Sequence, residues 1–329
     1  MRARRFGRLW AGLALALCLP LWSPLKAEPA AVAFRFVALG DMPYGPAMLS
    51  HPAYERLIAR INALTPAFSL HVGDFKSGSS PCSDEAFLEQ LRLFNQFTAP
   101  LVYTPGDNEW TDCHRTLAGR YDPRERLAKL RHLFFAQPAS HGQIKLALER
   151  QADGNPQWST FVENIRFQLH GVHFVGVHIV GSKNGLEPRE PAAVEEFRTR
   201  EQAVVSWLED SFAKAERAQA FAMVVFFHAD PFERAGASVD FAESTGFERV
   251  IGQTLLPLAG RTARPVLVIH GDSHVYRLDR PFRDARGQAM KSIQRLEVFG
   301  APDTRAVEVS VDPHREHVFS FTVIENPAP

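Results

Sequence analysis

Five short apolar runs in this 329-residue chain each stop abruptly at a polar signature. FVALGD ends at Asp41, SLHVGD at Asp74 and LVYTPGD at Asp107, while MVVFFH ends at His228 and VLVIHGDSH carries Asp272 and His274. Runs of this length, rich in Val, Ile and Phe, read as buried strands. Between them lie patterns of helical period. Phe87, Leu91 and Phe94 share a face, as do Leu127, Leu130 and Phe134. The longest such pattern starts near Pro191, a suitable first helical residue, and runs through Val194, Phe197, Val204, Leu208 and Phe212. Strand and helix in this alternation imply an α/β protein with a mainly parallel sheet and covering helices. In open sheets of that kind the carboxyl ends of the strands face one crevice, where ligands bind. Four carboxylates and two imidazoles are therefore expected in one small region.

Carboxylates crowded together resist ionising together, and divalent cations are the economical way to hold them. Mixed oxygen and nitrogen ligands suit Fe, Mn or Zn better than Mg or Ca, which prefer oxygen cages. A single Gly-Asp step is weak evidence, because both residues are favoured in turns. Four of them at the ends of hydrophobic strands are hard to ascribe to turns. Asp41, Asp74 and Asp107 are spaced 33 residues apart. The segments between them share only the strand, helix and loop order, so a repeat array is rejected.

The first 27 residues stand apart. MRARRFGR is a basic segment, LWAGLALALCLPLW an apolar core, and SPLKA offers a cleavage site after Ala27, so residues 1–27 read as a signal peptide. Export to the periplasm or the extracellular space follows. Cleavage removes five basic residues and no acid, so 37 basic and 37 acidic residues become 32 and 37, a net charge of −5. That balance gives no nucleic-acid-binding signature, and no second apolar segment is long enough to span a bilayer. Two cysteines remain, Cys82 and Cys113, and in an exported chain an even pair reads as one disulfide, worth about 3–4 kcal/mol. A Cys/His zinc site is the weaker alternative, since no CxxC spacing is present. Ser140–Pro156 is polar and interrupted, and reads as a surface excursion. The last fifty residues are strand-rich without a helix, and 281–329 are expected to form a C-terminal β extension within a single domain spanning 28–329.

The order GD, GD, GDNE, H, GDSH resembles that of the calcineurin-like metallophosphoesterases, over roughly residues 34–280. The segment QAVVSWLEDSF is also similar to the helix that precedes their fourth motif. The resemblance implies a two-sheet αββα sandwich and a dinuclear centre of two divalent or trivalent metal ions. Such a centre activates a hydroxide to cleave a phosphate mono- or diester of a small phosphorylated substrate. It implies Asp41 on the first metal, Asp74 bridging both, Asp107, His228 and Asp272 on the second, and His274 returning to the first.

The departures are specific. The first motif of the family is usually D-x-H, and here Pro43 takes the histidine position. In the third, usually G-N-H-D/E, Asp107 stands for the asparagine and Asn108 for the histidine thought to protonate the leaving group. In the fifth, usually G-H-x-H, Asp272 replaces the first histidine. Asn108 can donate a hydrogen bond but cannot act as an acid. His114, in the TDCHR loop tethered by the expected disulfide, is the candidate acid, against the alternative of an ordinary surface histidine. Arg115 and Lys183 are candidate phosphate contacts. Asn184 is a candidate substrate contact or a turn residue, and Tyr44 is left open as a metal or substrate contact. His71 and His270 read as core histidines, with His71 a possible partner behind a ligand. Two other readings stay on the table. One is a degenerate relative that binds metal and a phosphorylated ligand without turnover. The other is a secreted calcium-binding structural domain.

Overall fold

The computed structural model describes residues 32–231, 246–284 and 286–326, so the expected signal peptide at 1–27 lies outside the described residues. Two sheets face one another. The first is built from β1 (Phe34–Leu39), β2 (Ser69–His71), β3 (Leu101–Tyr103), β11 (Ala306–Val311) and β12 (Phe319–Ile324), in the order β12-β11-β1-β2-β3. The second takes β4 (Glu149–Arg150), β5 (Ile165–Leu169), β6 (Val172–Gly176), β7 (Ala222–Phe226), β8 (Val266–His270), β9 (Arg277–Asp279) and β10 (Ile293–Glu297), in the order β4-β5-β6-β7-β8-β10-β9. Strands β1, β2 and β3 run parallel, as do β6, β7, β8 and β10. The expected αββα sandwich is therefore present.

Alternation along each strand explains why both of its faces are apolar. In β1, Phe36 and Ala38 point between the sheets and meet Phe68, Phe174, Val224 and Ile269. Val37 and Leu39 point outward, into a layer with Leu57, Ile61, Phe87 and Leu130 from helices Ala47–Leu64, Asp84–Phe94 and Pro123–Phe134. On the other side, Val175, Val225 and Val268 pack against Val204, Leu208 and Phe212 of the helix Pro191–Arg217. That helix starts at the predicted proline and buries the predicted stripe.

β6 ends at Gly176, and beyond it Ile179 accepts the backbone N–H of His228 at 3.1 Å. One segment differs from expectation: Ser140–Pro156 is no mere excursion, because residues 139, 141 and 147 form β-bridges and Glu149–Arg150 edges the second sheet. Edge pairing uses backbone groups, so an apolar side-chain pattern cannot reveal it. The C-terminal strands divide between the sheets. β10 lies parallel to β8, while β11 pairs antiparallel with β1 and β12 with β11.

Candidate metal centre

All five strand tips converge. His228 follows β7 and is fully buried. Its Nε2 lies 3.0 Å from Asp107 Oδ1, 3.4 Å from Asp74 Oδ1 and 3.6 Å from Asp272 Oδ1. Its Nδ1 is 4.0 Å from Asp41 Oδ1 and contacts the Val72 carbonyl at 3.0 Å. His274 repeats the arrangement, with Nδ1 2.7 Å from the Ala301 carbonyl and Nε2 3.6 Å from Asp41 Oδ1. When each Nδ1–H donates to its carbonyl, each Nε2 lone pair is left facing the carboxylates, the orientation that metal-ligating histidines adopt. The ligand atoms of Asp41, Asp74 and His228 lie within 4.8 Å of one another, as do those of Asp107, His228 and Asp272. The two groups overlap at His228, whose single Nε2 lone pair can serve only one ion, and the carboxylates around it fit two adjacent cations.

The glycine before an aspartate does more here than permit a turn. A Cβ on Gly106 would sit 2.1 Å from Asp74 Oδ1, and one on Gly271 would sit 2.1 Å from Asp41 Oδ2. The strand tips can approach this closely only where side chains are missing. Asp41, Asp74, Asp272 and His274 themselves hold positive φ, at 53°, 54°, 82° and 61°. Such conformations are uncommon outside glycine and most accessible to Asp, Asn and His. The Asp272 backbone N–H donates to Asp41 Oδ1 at 3.1 Å, and Asp230 N–H to Asp272 Oδ2 at 3.0 Å.

Electrostatics agree with the geometry. Burial, with Asp272 and Asp107 nearby, pushes Asp41 well above the usual carboxylate range. Burial, with Asp107 and Glu109 nearby, does the same for Asp74. For His228 burial opposes the charge, but Asp74, Asp107 and Asp272 outweigh it and hold the imidazole well above its ordinary value. Among the described residues, no Lys or Arg pairs with any of the four carboxylates.

Tyr44 and Asn108 close one side. Tyr44 donates to Asp74 Oδ2 at 2.7 Å, and Asn108 Nδ2 donates to Tyr44 Oη at 2.9 Å and also to Asp74 Oδ2. The Tyr44 ring meets the His274 ring edge-on at 5.0 Å. Tyr44 thus reaches the centre one residue beyond Pro43, which cannot coordinate. His71 contacts the Met42 carbonyl at 3.2 Å, and burial lowers its pKa to about 3, so it is a neutral prop under this loop. His270 is likewise buried, with its pKa lowered to about 4.

The Asp107 loop is fastened from below. Cys82 and Cys113 form the expected disulfide, with Cα atoms 5.7 Å apart, beside the Asn108 carbonyl. Lys76 Nζ donates to the same carbonyl at 2.7 Å. Glu109 is fully buried and accepts from Tyr103 Oη at 2.9 Å and Gly106 N at 3.2 Å.

A second wall faces the cluster. Ser182, Lys183 and Asn184 have φ of 49°, 59° and 54°, followed by Gly185 at 71°. For each non-glycine residue this left-handed turn costs about 1–2 kcal/mol. Arg200, fully buried, holds it: Nη1 donates to Asn184 Oδ1 at 2.6 Å and Nη2 to the Asn184 carbonyl at 2.7 Å. Asn184 Nδ2 donates to Gly246 O at 2.9 Å, so this buried carboxamide is engaged by the turn and does not face a substrate. Ser182 Oγ donates to Asp107 Oδ2 at 2.7 Å and lies 3.0 Å from Asp112 Oδ1. Arg115 pairs with Asp112 at 2.7 Å. Burial and the neighbouring Asp107 raise Asp112 to about 7, against the pull of Arg115.

Outside this wall lies a cavity of about 1040 Å³, bordered by Trp110, His114, Arg115, Lys183 and Asp272 among others. His114 is exposed on its rim, with Nδ1 2.7 Å from the Thr111 carbonyl and no contact with the carboxylates. Sequence reasoning missed Ser182, Asp112 and Arg200. For Arg200 a signal existed: it lies three residues after Phe197 and four before Val204, on the stripe the helix buries.

No family model and no curated protein matches the chain. Among solved structures, a dimetal phosphatase from Danio rerio is similar over 89% of this chain and 99% of its own, with a TM-score of 0.52 and 11% identity. A purple acid phosphatase from yellow lupin (Lupinus luteus) seeds matches 89% of this chain and 54% of its own, with a TM-score of 0.45 and 14% identity. The chain spans about half the length of the lupin protein. At this identity, the likeness to the Danio rerio phosphatase establishes a shared fold.

Proposed function

We propose that this chain is a divergent calcineurin-like metallophosphoesterase, an exported enzyme that hydrolyses a phosphate mono- or diester at a two-metal centre. The convergence of four carboxylates, three of them buried, with two imidazoles, both presenting Nε2 and with no Lys or Arg partner among the described residues, carries this reading. Asp41 and His274 would hold one ion, Asp107, His228 and Asp272 the other, with Asp74 between them. Bound metal ions supply a nucleophile from water at neutral pH and stabilise charge on the transferring phosphoryl group. Tyr44 reaches Asp74 one residue beyond Pro43, which stands at the sequence position of the family's first-motif histidine. It donates a hydrogen bond to Asp74, and burial with Asp74 nearby pushes its phenol well above its ordinary pKa.

Asn108 sits among these groups but has no proton to give a leaving group. It is assigned to orienting a phosphoryl oxygen, in company with Arg115. His114 on the cavity rim is the candidate acid, and substrates with good leaving groups are expected to react fastest. Export is supported by the disulfide, which persists in oxidising compartments. No helix among the described residues is long and apolar enough to cross a membrane.

The decisive measurement is paired. Purified protein should contain one to two Fe, Mn or Zn ions per chain (roughly the occupancy of a two-metal site) and hydrolyse bis-p-nitrophenyl phosphate. Asp74→Asn should abolish both properties. Metal binding without hydrolysis across monoester, diester and nucleotide panels would instead support the non-catalytic reading, for which the substitutions at Pro43 and Asn108 are the grounds.

A further inference from the structure

Three consecutive non-glycine residues in left-handed conformation, tied by a buried arginine to the wall of the site, are not needed to end a strand. Every anchor of the turn points inward. Ser182 contacts Asp107 and Asp112, and Asn184 is gripped by Arg200. A Cβ at Gly181 would sit 2.5 Å from Asp272 Oδ1 and 2.8 Å from Asp107 Oδ1, so the turn is pressed directly onto the carboxylates. Its one charge is the exposed Lys183, which has no ion pair among the described residues and borders the cavity.

That cavity, about 1040 Å³, is far larger than one phosphoryl group requires. Most acids on its wall already have basic partners: Asp112 with Arg115, Asp122 with Arg124, and Glu196 with Arg200. Arg120 and Arg189 share the wall with Lys183 and have no ion pair among the described residues, and the same holds for the acids Glu187 and Glu190. Three uncommitted cations thus face two uncommitted acids, besides Asp272, which is assigned to the metal centre. Arg120 also has a positive φ, 57°, but of the three only Lys183 lies in a run of left-handed residues tied to the centre through Ser182 and Asn184.

We infer that the turn Ser182–Gly185 is a substrate-positioning element that holds Lys183 to bind a second phosphate of the substrate, distinct from the ester that reacts at the strand tips. This rests on the phosphoesterase reading and narrows it to substrates carrying two phosphates. The strain is borne because a left-handed backbone aims Lys183 across the cavity from a fixed point beside Asp107 and Asp272. Arg200 is a positioning residue, acting through Asn184.

The test uses metal-loaded protein and two ligands that cannot be hydrolysed, methylphosphonate and butane-1,4-bisphosphonate, with binding read by calorimetry and metal content assayed in parallel. Wild type should bind the bisphosphonate more tightly than the monophosphonate. In Lys183→Gln that preference should fall about tenfold, the expected loss of one charge-assisted contact. Arg200→Lys should reproduce this loss of preference at unchanged metal content, whereas a merely structural role would weaken both ligands alike. An undiminished preference in Lys183→Gln, with metal and methylphosphonate still bound, overturns the inference and leaves the phosphoesterase reading standing. A wild-type protein that holds no metal and binds neither ligand overturns the phosphoesterase reading and this inference together.

Discussion

Two buried charged clusters lie close together in this protein, and each has three groups near enough to grip an ion. One is the strand-tip cluster; the other comprises Asp230, His270 and Glu297. They differ in what balances them. Arg277 reaches Asp230 at 3.1 Å and Glu297 at 2.5 Å, Arg295 lies 3.7 Å from Asp230, and Ser273 donates to Glu297. The second cluster is therefore neutralised by the chain itself. The strand-tip cluster has two imidazoles and, among the described residues, no arginine or lysine partner. Geometry alone cannot separate a metal site from an ion-pair network, but charge accounting can: buried carboxylates without a fixed cation call for a mobile one. The balanced cluster also serves the other, because Asp230 is the residue whose backbone N–H fixes Asp272.

This contrast breaks most easily by removing metal. Stripping with a chelator should abolish hydrolysis and lower the thermal midpoint. At free metal 1,000-fold above Kd the bound ions stabilise by about 4 kcal/mol. If thermal scans of stripped and reloaded protein coincide, the strand-tip cluster is balanced in some other way. Next in size is Arg295→Met. It leaves buried acids with one partner fewer and should cost about 3 kcal/mol in denaturant unfolding, while the number of bound metal ions stays as in wild type. A fall in metal content equal to that of Asp74→Asn would mean that the two clusters form one unit.

Much of the strand-tip cluster was legible in the sequence because each ligand is announced by its own local signal, an apolar run ending in Gly-Asp or His. The fold makes the signals converge, since parallel strands bring their carboxyl ends together. Cys82 and Cys113 were legible for a similar reason: exported chains pair their cysteines. The balanced cluster was not legible. Asp230, Arg277, Arg295 and Glu297 lie on three segments without a shared motif, and only packing brings them together. Asn184 was read as a substrate contact or a turn residue and Ser182 was not singled out, because the left-handed run and its dependence on Arg200 arise from contacts across the 16 residues that separate Asn184 from Arg200. The pairing of 139–150 escaped for yet another reason, because backbone bonds leave no trace in side-chain pattern. The tyrosine in LGDMPYG shows the limit most directly. Its position was plain, but its approach to Asp74 depends on how the loop folds back over His71.

The smallest effect refines the comparison through pH. In the balanced cluster, burial raises Glu297 from 4.5 to about 7, against the hydrogen bond from Ser273 and with the help of Asp230. A folded-state pKa above the unfolded value gives stability that is complete below 4.5 and lost as pH rises towards 7. Burial lowers His270 from 6.5 to about 4, which has the opposite consequence: stability grows as pH rises from 4 to 6.5, where only the unfolded chain binds that proton. The two trends oppose each other over most of their range, as befits a cluster balanced within the chain. Glu297→Gln removes the falling limb and leaves the rising one. In metal-loaded protein, the denaturant midpoint of this variant relative to wild type should therefore climb between pH 4.5 and 7. A difference that stays flat across that interval would show that the proton on Glu297 is not taken up on folding, and that Arg277 and Arg295 hold it ionised throughout.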